Sequence, residues 1–209
     1  MALSPIDLTD VANGTGGFVI NGQDAGDWSG FAVASAGDMN GDGLDDLIIG
    51  AFQGDAAGNA KSNAGESYVV FGEAGGFATH LDLTDVAAGT GGFVIHGQDA
   101  GDNAGYSVAS AGDINGDGFD DLVIGAPQGS GAGNARFMAG ESYVVFGKAG
   151  GYAASIDLAS VAAGAGGFVI FGQAVTSAAR RIFRRQYPQA TSGFPVLVHL
   201  NGFAMVRLK

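Results

Sequence analysis

The stretch GDMNGDGLDDLIIGA, Gly37–Ala51, returns 75 residues later as GDINGDGFDDLVIGA, Gly112–Ala126. Each copy crowds four aspartates and an asparagine into nine residues and then turns apolar. Counting from Asp38 as position 1, Asp38, Asn40 and Asp42 stand at 1, 3 and 5, Gly43 at 6, Leu44 at 7 and Asp46 at 9. The second copy puts Asp113, Asn115, Asp117, Gly118, Phe119 and Asp121 in the same places. Alternate oxygen-bearing side chains over a tight turn converge on one point. The glycine permits the bend, and the position-7 carbonyl of Leu44 or Phe119 faces the same point.

Three carboxylates, an amide oxygen and a carbonyl make a hard-oxygen cage, which suits Ca²⁺ better than Zn²⁺ or Cu²⁺. Two structural Ca²⁺ sites are therefore expected. Without a cation, carboxylates so close would repel and raise one another's pKa. An EF-hand shares the first half of the pattern but wants an acid at position 12, where this chain has Ile49 and Ile124, and its flanks are helical. Here the flanks read as strands. The bland alternative is an Asx-rich hairpin loop with no ion. Asp45 and Asp120, at position 8, are expected to point outward into solvent.

The rest of the chain repeats with the same 75-residue step. IDLTDVANGTGGFVINGQ (Ile6–Gln23) becomes LDLTDVAAGTGGFVIHGQ (Leu81–Gln98) and then IDLASVAAGAGGFVIFGQ (Ile156–Gln173). Glu66–Gly72 matches Glu141–Gly147. Close repeats of this length mean a solenoid, a propeller or a tandem array. The first full unit offers four strand-like segments, Phe31–Ala36, Asp46–Ala51, Ser67–Gly72 and Gly92–Gly97, and only the DLTDV phrase is fit for a helical turn. Four short strands per unit is the content of a propeller blade, and 75 residues is small for a β-sandwich. The fold class expected is all-β, with four-stranded antiparallel blades. Residues 1–23 read as the last strand of a preceding blade, 24–98 and 99–173 as blades each with a calcium loop, and 174–209 as a tail outside the repeat. About two blades and a strand cannot close a ring, which usually takes four to eight blades, so the chain reads as a piece of a longer protein.

Composition narrows function. Glycine supplies 39 of 209 residues, fitting short strands and many turns, and a formal charge of −12 argues against nucleic acid. The absence of cysteine excludes disulfides, thiolate metal sites and cysteine nucleophiles. The N-terminus MALSPIDLTD carries no secretory signal, and no window is apolar enough for a membrane span. Residues 1–173 hold all 21 acids and three bases, whereas 174–209 hold six bases and no acid. That tail reads as a frameshift, as a helix-plus-hairpin cap (a helical face of Val175, Ala178, Ala179, Ile182 and Phe183, then VLVHL-NG-FAMVRL), or as a basic element for a membrane surface or nucleic acid.

No catalytic motif stands out, and no enzyme is expected. His80 and His96 occupy repeat positions held by Ser155 and Phe171, which speaks against catalysis, and His199 lies in the tail. Trp28 has no counterpart in the next repeat, where Asn103 stands, and offers at most a lone exposed sugar platform.

The aspartate loop, followed by an IIGA or VIGAP strand and GESYVVFG, resembles the FG-GAP repeat of integrin α-chain β-propellers, and is closer still to bacterial integrin-like repeats of large secreted or surface proteins. The resemblance spans residues 6–173. It implies a seven-bladed family with Ca²⁺ in the loop between a blade's first two strands. The implied ligands are Asp38, Asn40, Asp42, the Leu44 carbonyl and Asp46, and Asp113, Asn115, Asp117, the Phe119 carbonyl and Asp121. The chain departs from the pattern where Ser29 and Ala104 replace the FG phenylalanine, and where Gly50-Ala51-Phe52 replaces the GAP kept at Gly125-Ala126-Pro127.

The function this implies is a scaffold for cell-surface adhesion or ligand binding, secreted or on the surface. Its partner would be a protein or glycan, with edge-strand pairing to further blades or other copies. The alternatives are an accessory module of a secreted hydrolase, or a non-functional truncated fragment.

Overall fold

The computed structural model describes residues 7–131, 133, 136, 138–173, 196–200 and 203–208. The chain divides into two compact units, residues 1–172 and 173–209.

The first unit is built around two four-stranded antiparallel sets of strands. One is built from β2 (Ala32–Gly37), β3 (Asp46–Ala51), β4 (Glu66–Val70) and β6 (Gly92–His96), and the other from β7 (Ser107–Gly112), β8 (Asp121–Ala126), β9 (Glu141–Val145) and β11 (Gly167–Phe171). Neighbouring strands pair in meander order, with registers such as Ile48↔Val69 and Tyr68↔Val94. The expected four-stranded antiparallel sheets are therefore present, as in propeller blades. In both first hairpins the register shifts by a bulge just before the aspartate loop, between Ser35 and Gly37 and between Ser110 and Gly112. Gly37 and Gly112 take φ of 67° and 66°, and each donates its amide to the Ser35 or Ser110 hydroxyl, so the bulge re-aims the chain into the loop.

One feature of each repeat goes beyond four strands. The DLTD phrase opens with a three-residue strand that pairs parallel with the fourth strand of the preceding blade. Thus β5 (His80–Asp82) pairs with β1 (Val19–Asn21), and β10 (Ser155–Asp157) pairs with β6. An aspartate, which in the second and third copies is the last residue of the short strand, then caps a single helical turn. Asp7, Asp82 and Asp157 accept the amides of Thr9, Thr84 and Ala159 at the starts of α1 (Leu8–Ala12), α2 (Leu83–Ala87) and α3 (Leu158–Ala162). Strand and turn together clasp one blade onto the last.

Strand alternation then divides the core. Ile48, Val69, Phe93 and Ile95 face the second sheet and join Leu122, Ile124, Tyr143 and Val145 in one cluster. The other face of the first sheet sends Ile49, Tyr68, Val70 and Val94 against Leu83 and Val86 of α2, with Ile20 and Leu81 of the clasp beside them. The sheets meet closely. A Cβ on Gly65 would lie 1.9 Å from the Ala104 carbonyl oxygen, and one on Gly50 would lie 2.1 Å from that of Gly105. Tyr152 completes the junction by stacking on Phe93 at 4.4 Å, its rings within 5° of parallel.

In the second unit, β12 (Val196–Leu200) and β13 (Phe203–Leu208) form the antiparallel pair that the Asn-Gly dipeptide leads one to expect. The helical face read over residues 175–185 lies outside the described residues.

Candidate metal loops

The loop between β2 and β3 is held open by its own first aspartate. Asp38 Oδ1 accepts the amides of Gly41 and Asp42, and Oδ2 accepts that of Gly43. Asn40 Oδ1 accepts from Asp42, Asp42 Oδ1 accepts from Leu44, and the Asn40 side-chain amide donates to Asp42 Oδ2 at 2.9 Å. The β7–β8 loop copies every bond. Asp113 takes Gly116, Asp117 and Gly118, Asn115 and Asp117 pair with each other, and Phe119 donates to Asp117 Oδ1. The glycine at position 6 adopts φ of 86° in the first loop and 94° in the second, the bend that the spacing required.

Position 9 has a different setting. Asp46 and Asp121 are fully buried. Asp46 accepts the Met39 amide at 3.1 Å and the Gly72 amide at 2.9 Å, and Asp121 accepts those of Ile114 and Gly147. Each pins the loop to the end of the third strand. Burial pushes the Asp46 carboxyl up to about 6; the Gly72 and Met39 amides pull the other way, and Asp42 and Asp38 add repulsion. The exposed Asp113 carboxyl is held below its usual value, chiefly by the Gly118 amide, with the Gly116 and Asp117 amides helping against slight burial.

All ten residues thus sit on two equivalent loops, and every side-chain donor is an oxygen. Their carboxylates are spent on loop amides, and among the described residues no three acidic or histidine side chains gather as a metal centre. The donor chemistry still fits a hard cation: Asp38 Oδ1 and Asp113 Oδ1 each take two amides, but the other carboxylate oxygens of the two sets take one apiece and retain a lone pair.

The two position-8 residues differ. Asp45 is exposed, as the spacing leads one to expect. Asp120 is only half-exposed: it turns into the first loop, where its Oδ2 accepts the Asp38 amide at 2.9 Å and its own amide donates to the Asp38 carbonyl at 3.2 Å. The reason is contact between neighbouring blades, which a single loop read alone cannot reveal.

A second acidic group lies between the strands, unforeseen in the sequence reading. Glu66 and Glu141 are buried and accept the hydroxyls of Tyr68 and Tyr143, which also contact Gln23 and Gln98 from the preceding repeat. His96 Nδ1 lies 3.3 Å from Glu66, where the second blade has Phe171 opposite Glu141. Asp27 and Asp102 are buried nearby, and among the described residues Asp102 Oδ2 has no hydrogen-bond partner. Four of these five residues, Gln23, Asp27, Glu66 and Tyr68, recur unchanged at the 75-residue step, and only the histidine does not.

Burial first, then the charges of Glu141 and Asp99, push the Asp102 carboxyl up to about 7, against the Asp99 amide. Burial, then Glu66, Asp24 and Asp55, push Asp27 to about 6. A folded pKa above the unfolded value means that the folded state holds the proton more tightly. Stability from these two groups is therefore complete below about pH 4 and is lost as pH rises through 6 to 7. In EDTA the protein is expected to melt higher at pH 5 than at pH 7.5. Asp102→Asn should raise the pH 7.5 melt and flatten the profile, by about 4 kcal/mol at most. Thermal melts across this range check it, and a wild-type optimum above pH 7 would contradict it.

Comparison with known proteins agrees with the repeat. The FG-GAP repeat family matches residues 29–70 and 104–145, the two stretches that carry the loops and the three strands around them. Integrin alpha-5 of Xenopus laevis is 34% identical over 111 residues, covering 52% of this chain and 9% of that protein. Integrin alpha-PS2 of Drosophila melanogaster is 33% identical over 112 residues, covering 53% and 7%. Phosphatidylinositol-glycan-specific phospholipase D of Dictyostelium discoideum is 31% identical over 159 residues, covering 71% and 16%. The chain spans less than a tenth of the length of these integrin chains and about a sixth of the phospholipase.

Proposed function

We propose that this chain, which carries FG-GAP repeats and resembles integrin alpha chains, is a calcium-stabilised propeller segment that serves as a scaffold for binding a protein or glycan outside the cell. The observation that carries the calcium reading is the pair of loops with identical all-oxygen donor sets and identical internal bonding. Calcium would supply the positive charge that these loops lack, held by Asp38, Asn40, Asp42, the Leu44 carbonyl and Asp46, and by their counterparts Asp113, Asn115, Asp117, the Phe119 carbonyl and Asp121. The chain's own part is to hold the turn: Asp38 and Asp113 organise the loop amides, and Asp46 and Asp121 tie each loop to its third strand. Sites of this kind bind at about 10⁻⁴ to 10⁻³ M, so they fill outside the cell and stay empty in the cytosol. Among the described residues no helix is long and apolar enough to cross a membrane.

The reading assigns no catalysis to this chain. The phospholipase D match, the longest of the three alignments, favours a second reading in which the segment is an accessory module beside a hydrolase.

The test is a thermal melt in EDTA and in 2 mM Ca²⁺, with bound ions counted by calorimetry. Two ions per chain are expected. For a dissociation constant of about 10⁻⁴ M each site adds about 2 kcal/mol at that concentration, so the melt should rise by several degrees. A melt indifferent to millimolar Ca²⁺, with no bound ion, removes the calcium reading.

A further inference from the structure

The two loops carry the same ligands, yet the structure does not treat them alike. In the first, Met39 is fully buried, whereas its counterpart Ile114 is half exposed. The second blade grips the first loop from three directions. Asp120 brackets the Asp38 peptide, the Lys148 amide donates to the Met39 carbonyl at 3.0 Å, and the Tyr152 hydroxyl donates to the same carbonyl at 2.9 Å. Glycines in the first loop leave room for this grip. A Cβ on Gly37 would lie 2.0 Å from the Asp120 carboxylate, and one on Gly41 would lie 2.4 Å from the Phe119 ring. Asp120 itself stands between Phe119 and Asp121, positions 7 and 9 of the second loop, and it holds position 1 of the first.

We propose that Asp120 is a positioning residue that couples the two cation loops. An ion that fixes Phe119 and Asp121 fixes the residue between them, and that residue fixes the Asp38 amide, so filling one loop favours filling the other. Coupling of binding free energies is reciprocal, so each loop gains the same factor from the other. This rests on the calcium reading above. Asp45, its exposed counterpart, provides an internal control.

The experiment is Ca²⁺ calorimetry on the full chain, with Asp117→Ala silencing the second loop and Asp42→Ala the first. The product of the two wild-type association constants is expected to exceed the product of the two single-loop constants by about fivefold or more. In Asp120→Ala that ratio falls to one. In Asp45→Ala it stays at the wild-type value, and in Asp120→Asn, which keeps an acceptor oxygen, it stays above one. Amide hydrogen exchange of metal-free protein adds a readout independent of Ca²⁺: the Asp38 amide should exchange faster in Asp120→Ala than in the wild type and be unchanged in Asp45→Ala. Two ions bound with a wild-type ratio of one overturn the coupling and leave the calcium reading standing. No bound ion in the wild type overturns both. Equal Asp38 exchange in wild type and Asp120→Ala removes the contact on which the inference stands.

Discussion

Gly65→Ala is expected to cost about 4 kcal/mol or more and to loosen the junction between the two sheets. The new methyl would lie 1.9 Å from the Ala104 carbonyl oxygen and 2.5 Å from the Ala104 nitrogen. Both are backbone atoms, so no side chain can turn aside to relieve the clash. The neighbouring bonds would have to move with them, Ala104 to the Ala64 carbonyl and Gly97 to the Gly65 carbonyl, at 2.9 and 2.8 Å. A φ of 89° adds about 1 to 2 kcal/mol for any L side chain. Gly101→Ala is the control, because its φ of 82° carries the same conformational cost and its Cβ would meet nothing within 4 Å. Urea denaturation of the two variants separates the effects, and equal losses would mean that the junction yields more easily than its geometry implies.

The second large effect is expected at Asp46. Alanine there strands the buried amide of Met39 and the half-buried amide of Gly72, each bonded to the carboxylate. Charge-assisted bonds are worth about 1.5 to 3 kcal/mol apiece, so the loss should be about 3 to 5 kcal/mol in EDTA, before any cation is considered. Asp46→Asn keeps one acceptor and should lose about half as much. If both variants matched the wild type in urea, the loop would not depend on its buried aspartate.

The strands and the aspartate loops were open to reading because both are local. Asp46–Ala51 runs from an acid into a β-branched apolar stretch, and that is the strand found. The loop glycines stand where the bend needs them. What escaped the sequence depends on contacts between repeats. His80–Asp82 and Ser155–Asp157 are three-residue strands that gain their meaning only from partners about 60 residues away. Asp120 reads as a solvent-facing residue until the neighbouring loop is set against it. Trp28 shows the same limit: it takes a φ of 59°, rare for a bulky side chain, at the position where Asn103 takes 56°. Asparagine tolerates that conformation well, so the repeat partner explains the backbone that the tryptophan alone would not.

The parallel clasp also says what can be copied. Because each blade is fastened by a strand drawn from the following repeat, the sheet and the sequence unit are out of phase, and no cut at a sheet boundary releases a finished piece. A deletion of one whole 75-residue period behaves otherwise. Removing residues 24–98 would bring Val19–Asn21 opposite Ser155–Asp157 in the register it already makes with His80–Asp82. Every clasp would be re-formed from an equivalent partner. Gene duplication or loss in whole periods therefore changes the number of blades without leaving an unmatched seam, whatever residue the breakpoint falls on.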